Sequence, residues 1–392
     1  MERRYLETAI NDDIEKKMVF LGGPRQVGKT TLAQYCASQF DNSGYYNWDS
    51  RSHRKTIMNE QWSPDLNMLV FDELHKYRKW KNLIKGIWDT RTPGQRIMVT
   101  GSSRLDIFRR GGDSLQGRYH YYRLHPFSLK ELSGNPIPSA EYTTAQPVLE
   151  FGKPDFDLQH LLKFGGFPEP CLAGTERTLR RWQRQRFERV FREDIRDVET
   201  VLSLSEVELL GTMLPERVAA PLSFSSLASD LEISPKTAKS WIELLCRNYF
   251  IFRVPPFHRR LQRALKKECK YYLWDWSEVP DIGGRFENLV GSHLLKYCHY
   301  CQDVFGLDVD LFYLRDLEKR EVDFLVTWEK NPWLIIECKR KPGGSLTALR
   351  YFADRLKVSE RYLVVEEDGI DYLDKKADVR TLSARRFLSA LV

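Results

Sequence analysis

No stretch of about 18 uninterrupted apolar residues occurs in the chain, so the sequence offers no membrane-spanning helix. The opening residues Met1-Glu2-Arg3-Arg4 run into mixed polar sequence and not into the apolar core of a signal peptide. The expectation is a cytoplasmic protein with no membrane partner. Cysteine is sparse and odd in number, seven in 392 residues, which points to reduced thiols and away from a disulfide framework. Cys298 and Cys301 form a C-x-x-C with His293 and His299 nearby. The second ligand pair that a zinc site needs is missing, so these cysteines read as buried helix residues. Strong charge of either sign is also missing. The 61 basic and 54 acidic residues leave +7, which permits a polyanionic partner without requiring one.

What is present is enough apolar sequence, 42% of the chain, to bury several cores, and a length suited to two to four domains. The most specific stretch is Gly23-Pro24-Arg25-Gln26-Val27-Gly28-Lys29-Thr30, a match to G-x-x-x-x-G-K-[ST]. An apolar run, Met18 to Leu21, precedes it, and a helical pattern opening with Thr31 follows. Glycines let backbone N–H groups converge on a phosphate, and the helix start adds a positive dipole end. In this pattern Lys29 reaches the β- and γ-phosphates of ATP, and Thr30 holds Mg²⁺. Farther on, the strand Met68-Leu69-Val70-Phe71 ends in Asp72 and Glu73. Asp72 is placed to bind Mg²⁺ and Glu73 to polarise the attacking water. A third buried strand, Arg96 to Thr100, ends in Gly101-Ser102-Ser103. Ser102 or Ser103 can touch the γ-phosphate or the lytic water, or cap a helix, and both readings stand. Arg118, on the turn before the strand Tyr119 to His125, is the first candidate for an arginine finger offered to a neighbouring subunit, and Arg104 the second. A surface or structural arginine is an equal alternative.

The run Gly22 to Leu32, the Val70 to Glu73 strand, the Gly101-Ser102-Ser103 end and the Gly117-Arg118…Pro126-Phe127-Ser128 segment resemble the AAA-type ATPases that carry a "GPRQVGKTTL" loop. That group ends in a domain of unknown function related to nucleases. The resemblance covers nearly the whole chain. It implies an α/β protein: an AAA+-like P-loop NTPase core over 1–155, a helical lid or linker over 156–200, a winged helix over 201–265, and an α/β/α restriction-endonuclease-like domain over 266–392.

In the middle region Gly165-Gly166-Phe167-Pro168-Glu169-Pro170 reads as a tight helix end. Residues 177–196 form a basic helix in which Arg177, Arg180, Arg181, Arg184, Arg186, Arg189 and Arg192 alternate with Trp182, Phe187 and Phe191. A solvated face is the default; a DNA phosphate track or a subunit contact is the alternative. Ser223 to Leu231, the turn Ile233-Ser234-Pro235, and Lys236 to Leu245 read as a helix-turn-helix, with Phe250 to Val254 a strand of the wing. The unit either meets DNA or serves as a spacer. The basic stretch His258, Arg259, Arg260, Arg263, Lys266, Lys267 and Lys270 is the best local candidate for a polyanion contact.

Late in the chain a helix from Arg285 to about Tyr300 is followed by strands at Leu311–Leu314, Glu321–Val326 and Trp333–Lys339, a helix over 345–357 and a strand Arg361–Val365. The order Glu287, Asp323, Glu337-x-Lys339 resembles the PD-(D/E)xK nucleases. In that chemistry Asp323 and Glu337 bind Mg²⁺ or Mn²⁺, Glu287 adds a ligand or holds the site, and Lys339 positions the attacking water. A surface set of salt bridges is the alternative. The functional expectation is an ATP-hydrolysing homo-oligomer coupled to a metal-dependent DNA nuclease. The alternative is a nucleotide-regulated switch that binds DNA or a protein without cutting.

Overall fold

A computed structural model describes residues 3–101, 115–134, 142–195, 204–258 and 268–392. The chain divides into two compact units, Met1–His125 and Pro126–Val392. Among the described residues no helix is long and apolar enough to cross a membrane.

The first unit is built on a parallel sheet of β1 (Met18–Gly22), β2 (Ser43–Asn47), β3 (Met68–Asp72), β4 (Arg96–Thr100) and β5 (Tyr119–Arg123), in the order β2-β3-β4-β1-β5. β1 and β3 are buried along their whole length, as expected of strands covered on both faces. Helices α1 (Glu7–Asp13), α2 (Lys29–Ala37), α3 (Arg51–Met58) and α4 (Trp80–Thr90) belong to this unit. Trp80, Ile84 and Ile87 of α4 recur at helical spacing and pack with Phe20, Leu69, Phe71 and Val99 of the sheet. The opening segment forms a helix over Glu7–Asp13, where Ile10 is its buried anchor.

The second unit opens with a single helical turn, Leu129–Leu132, followed by α5 (Leu158–Phe164), α6 (Pro168–Ala173) and α7 (Glu176–Arg189), which continues as one π-helical turn, Val190–Ile195. Gly165 ends α5 at φ 73°, and Pro168 opens α6, so the expected tight helix end is present. After α8 (Leu204–Met213) come α9 (Phe224–Asp230) and α10 (Pro235–Arg247). The Ser223 and Ser234 side chains accept from Ser226 and Thr237 N–H and cap α9 and α10. β6 (Ile251–Val254) pairs antiparallel with β7 (Lys270–Leu273), so this ladder joins residues on both sides of position 265. The long helix α11 (Ile282–Phe305) leads into a six-stranded sheet. Its strands are β8 (Val309–Arg315), β9 (Glu321–Trp328), β10 (Asn331–Lys339), β11 (Glu360–Val365), β12 (Asp371–Asp374) and β13 (Val379–Ser383), in the order β12-β13-β11-β10-β9-β8. The sheet is mixed: β10, β11 and β13 run parallel, while β8, β9 and β12 join antiparallel. β12 and β13 extend it past the strand at which sequence reading stops.

A helix packs on each face of this sheet. Leu349 and Phe352 of α12 (Thr347–Leu356) cluster with Leu325 and Ile335. On the other face Phe324 approaches Gly291 of α11 so closely that a Cβ there would lie 2.8 Å from its ring, which requires glycine. The chain closes with α13 (Ala384–Ser389). Trp328 and Trp333 are buried with ring centroids 5.1 Å apart and serve as packing residues.

Candidate functional site

The first site lies at the C-terminal ends of β1, β3 and β4. Gly23 begins the loop at φ 143°, and a Cβ would meet the Leu124 carbonyl oxygen at 2.4 Å, so no other residue fits. Gln26 and Gly28 are also left-handed, at φ 62° and 99°. Successive turns of this kind point backbone N–H groups to one side, as an anion cradle requires. Gly23, Pro24, Arg25, Gln26, Val27 and Gly28 form the loop, and Lys29, Thr30 and Thr31 open α2. The Lys29 ammonium donates to the Gly23 and Pro24 carbonyls at 3.0 and 2.7 Å, which holds it over the loop.

Asp72 is the polar centre. Its side chain is buried, yet four neutral donors reach it. Thr30 Oγ1 donates to Oδ2 at 2.8 Å, Tyr45 OH to Oδ2 at 2.5 Å, Asn47 Nδ2 to Oδ2 at 3.5 Å, and Thr100 Oγ1 to Oδ1. Burial and then the Asp72 carboxylate push the Tyr45 phenol well above its ordinary range, so Tyr45 stays a donor. Sheet register explains the convergence. Asn47 is the parallel neighbour of Asp72, Tyr45 is two residues earlier on the same face, and Thr100 follows Val99, the neighbour of Phe71. Sequence reading missed Tyr45, Asn47 and Thr100. The signal for Thr100 was a polar residue ending a buried strand.

Glu73 occupies a left-handed conformation at φ 56°, an uncommon one for a residue with a side chain. Its buried Oε2 has no hydrogen-bond partner among the described residues; Lys76 Nζ and His75 Nε2 lie 3.4 and 3.8 Å away. Arg118 stands at the opposite edge of the sheet. Tyr119 is level with Met18, and the loop begins after Gly22, four strand steps or about 13 Å farther along. Arg118 Nε donates to Asp89 Oδ1 at 3.1 Å, so its own loop does not receive it. Ser102, Ser103 and Arg104 lie outside the described residues.

The second site is in the second unit, where β9 approaches α11. Between Phe312↔Leu325 and Leu314↔Val322, β8 advances two residues and β9 three, so β9 carries a bulge at Asp323-Phe324. The ladder with β10 reaches Phe324↔Ile336. Beyond it, Asp323 Oδ2 accepts from the Cys338 N–H at 2.8 Å, a side chain acting in place of a strand carbonyl. Glu287 Oε1 accepts from Tyr272 OH at 2.6 Å. Burial, then the charge of Asp323, raises the Glu287 carboxyl to about 8; the same two causes raise Glu337 to about 8.

The structure therefore brings Glu287, Asp323 and Glu337 within electrostatic reach of one another. The charge of the expected lysine, Lys339, also reaches Glu337 and works against that rise. Lys339 Nζ donates to the Ser345 carbonyl at 3.3 Å. The lysine on the acids is Lys270, 1% exposed, with Nζ 2.8 Å from Glu321 Oε1, 3.1 Å from Glu287 Oε1 and 3.4 Å from Asp323 Oδ1. This corrects the reading of Lys270 as part of a solvated polyanion contact; Arg259, Arg260, Arg263, Lys266 and Lys267 of that stretch lie outside the described residues. Among the described residues no three His, Cys, Asp or Glu side chains form a group that could hold a metal ion. A cleft of about 360 Å³ lined by Ala219, Gly283, Glu287, Cys338, Lys339 and Arg340 opens onto the cluster.

Two other expectations change. Arg186 is buried, not part of a solvated helical face: Nη1 donates to Glu278 Oε1 at 2.8 Å and Nη2 to the Tyr249 carbonyl at 3.1 Å. Arg180, Arg184 and Arg192 are exposed and paired with Glu176, Glu188 and Glu208. Cys298 and Cys301 form no disulfide among the described residues and are buried in α11, and burial pushes the Cys301 thiol up to about 12. His293 accepts at Nε2 from the Leu129 N–H, 3.1 Å away, so it is an internal bonding residue.

Residues 15–133 match the AAA domain family, 155–279 a domain of unknown function (DUF8612), and 282–384 another domain of unknown function (DUF4143). An uncharacterized protein of Methanocaldococcus jannaschii is 26% identical over 359 residues, 84% of this chain and 77% of the relative. An uncharacterized protein of Mycobacterium tuberculosis is 19% identical over 350 residues, 84% of this chain and 72% of the relative. Among solved structures, the Walker-type ATPase of Pyrococcus abyssi is 15% identical with a TM-score of 0.43, covering 72% of this chain and 95% of that one. A RuvB variant of Thermotoga maritima is 16% identical with a TM-score of 0.31, covering 67% and 93%. The AAA match, the parallel sheet and the loop agree in giving the N-terminal region the fold of a P-loop NTPase.

Proposed function

We propose that the N-terminal unit binds ATP with Mg²⁺ and hydrolyses it. The observation that carries this reading is the junction of Thr30 and Asp72, a hydroxyl bonded to a buried carboxylate at 2.8 Å beside the Lys29 loop. Two hard oxygen donors of this kind suit Mg²⁺, which would neutralise charge on the β- and γ-phosphate oxygens. The loop N–H groups of Gly23 to Gly28 and the start of α2 bind the phosphates, and Lys29 moves from the loop carbonyls to them. Glu73, with one buried oxygen lacking a hydrogen bond, orients the attacking water and takes its proton. Arg118 serves as a finger only in trans, in a homo-oligomer, and must release Asp89 to do so. Nucleotide binding and phosphate release measured on the wild type, Lys29→Ala and Glu73→Gln test the assignment. Hydrolysis persisting in Lys29→Ala sinks it.

For the second unit the reading is a nucleotide-controlled module that engages DNA or a protein partner without cutting. Lys270 favours it, because a divalent ion does not fit Glu287 and Asp323 with an ammonium 3.1 and 3.4 Å from their oxygens. The two-helix element α9–α10 with the β6–β7 ladder has the order of a winged helix, the element through which DNA would be met. The competing reading, a DNA nuclease of restriction-endonuclease-like fold, is favoured by the mutual electrostatic influence of Glu287 on α11, Asp323 on β9 and Glu337 on β10. Plasmid and linear DNA incubated with Mg²⁺ or Mn²⁺, with and without ATP, separates the two. Cutting that disappears in Asp323→Ala supports the nuclease; no cutting under any condition, with DNA retained on the protein, supports the switch.

A further inference from the structure

The acids that nuclease chemistry would use for a metal already hold a cation of the chain's own. We infer that Lys270 is the resident cation of the Glu287–Glu321–Asp323 set, and that a divalent ion binds there only when this ammonium is removed or drawn away. The inference takes up the same residues as the nuclease reading and says what keeps metal off them.

Three observations carry it. An ammonium has three donors, and Lys270 Nζ faces three carboxylates at 2.8, 3.1 and 3.4 Å, one from α11 and two from β9. Protein donors also reach each of those acids: Tyr272 OH on the same Glu287 oxygen as Lys270, Arg315 Nη1 on the second oxygen of Glu321 and the Cys338 N–H on the second oxygen of Asp323. The position is fixed by backbone as well. Lys270 pairs with Val254 in the β6–β7 ladder and bridges to Pro221, and Asn288 of α11 bonds both the N–H and the carbonyl of Leu273 at 2.9 Å. A side chain 1% exposed and tied at both flanks is not a surface lysine that has drifted onto nearby acids.

The arrangement also names the element that would draw it away. β7 pairs with β6, which directly follows α10, and the Leu222 N–H before α9 bonds the Cys269 carbonyl at 2.9 Å. Drawing Lys270 away requires the α9–α10 element to carry β7 off α11, which breaks the Asn288 bonds to Leu273 and leaves Glu287 and Asp323 facing the cleft. The two-helix element thus carries the plug of the acid site.

The test is Mn²⁺ binding, followed by the electron paramagnetic resonance of free Mn²⁺, on nucleotide-free full-length chain. Wild type and Lys270→Arg should leave Mn²⁺ free, whereas Lys270→Met should bind about one ion per chain at least tenfold more tightly. Asp323→Asn added to Lys270→Met should abolish the gain. Where Lys270→Met alone does not fold, Lys270→Met/Glu321→Gln removes one acid with the ammonium and takes its place in the comparison. Equal Mn²⁺ binding by wild type and the Lys270 variants, or none by any of them, overturns the inference. Because the readout is metal binding and not cleavage, a Lys270→Met chain that binds Mn²⁺ but cuts no DNA leaves the inference standing and removes the nuclease reading.

Discussion

Asp72, fully buried, and Asp323, half-buried, are two strand-end aspartates treated in opposite ways. Asp72 is surrounded by neutral donors, the hydroxyls of Thr30, Tyr45 and Thr100 and the amide of Asn47. Asp323 is held by a backbone N–H and an ammonium. Neutral hydrogen bonds orient a carboxylate and leave its charge intact, so Asp72 still attracts a cation. A buried ammonium cancels that charge, so Asp323 does not. The same residue type at a strand end therefore says little about metal binding until its partners are known.

The sharpest way to break this comparison is to take away the ammonium. Lys270→Met should destabilise the second unit by about 3–5 kcal/mol, the cost of leaving buried acids uncompensated, and Lys270→Met/Glu321→Gln should recover part of it. Urea unfolding followed by tryptophan fluorescence reports both; an unchanged midpoint in Lys270→Met would show that Lys270 does not neutralise the cluster. Next in size is the catalytic step of the first unit. Glu73→Gln should bind ATP as tightly as wild type but turn over at least about a hundredfold more slowly. Equal turnover removes Glu73 from the role.

A pH effect comes third. Burial lowers the His293 pKa from 6.5 to about 4, and protonating Nε2 would break its bond from the Leu129 N–H. The unfolded chain takes up this proton first, so stability should fall as pH drops from 6.5 towards 4, by up to roughly 3 kcal/mol. His293→Gln should flatten that segment of the stability profile; a parallel profile would mean that His293 does not cause it. Tyr45→Phe, removing one of several neutral donors on Asp72, should cost about 1 kcal/mol of stability and leave nucleotide binding in place. Arg118→Ala should be nearly silent in a monomer, since its pair with Asp89 is half-exposed, yet lower hydrolysis in an oligomer without changing ATP affinity. Undiminished turnover at concentrations where the chain associates would retire the trans finger.

Contiguous signals were legible. The loop from Gly23 to Thr30 is one local motif, and Asp72 and Glu73 end a strand that reads as buried. Helices α9 and α10 were visible because their serine caps and the Pro235 start are local as well. What escaped was set by register and long-range packing. Tyr45 and Thr100 come to Asp72 from neighbouring strands whose pairing no single segment records. The extra residue that places Asp323 is a property of β9 opposite β8. Lys270 follows a run of basic residues and looks solvated by association; only its place at the head of β7, facing Glu287 and Glu321, makes it internal. Arg186 misled for the same reason, one arginine among many that happens to face Glu278.

The most direct measurement counts Mn²⁺ bound per chain with and without a non-hydrolysable ATP analogue. This account predicts one ion, bound only with the nucleotide, lost in Asp72→Asn and kept in Asp323→Asn. A second ion bound by the wild-type chain without nucleotide and lost in Asp323→Asn would contradict it.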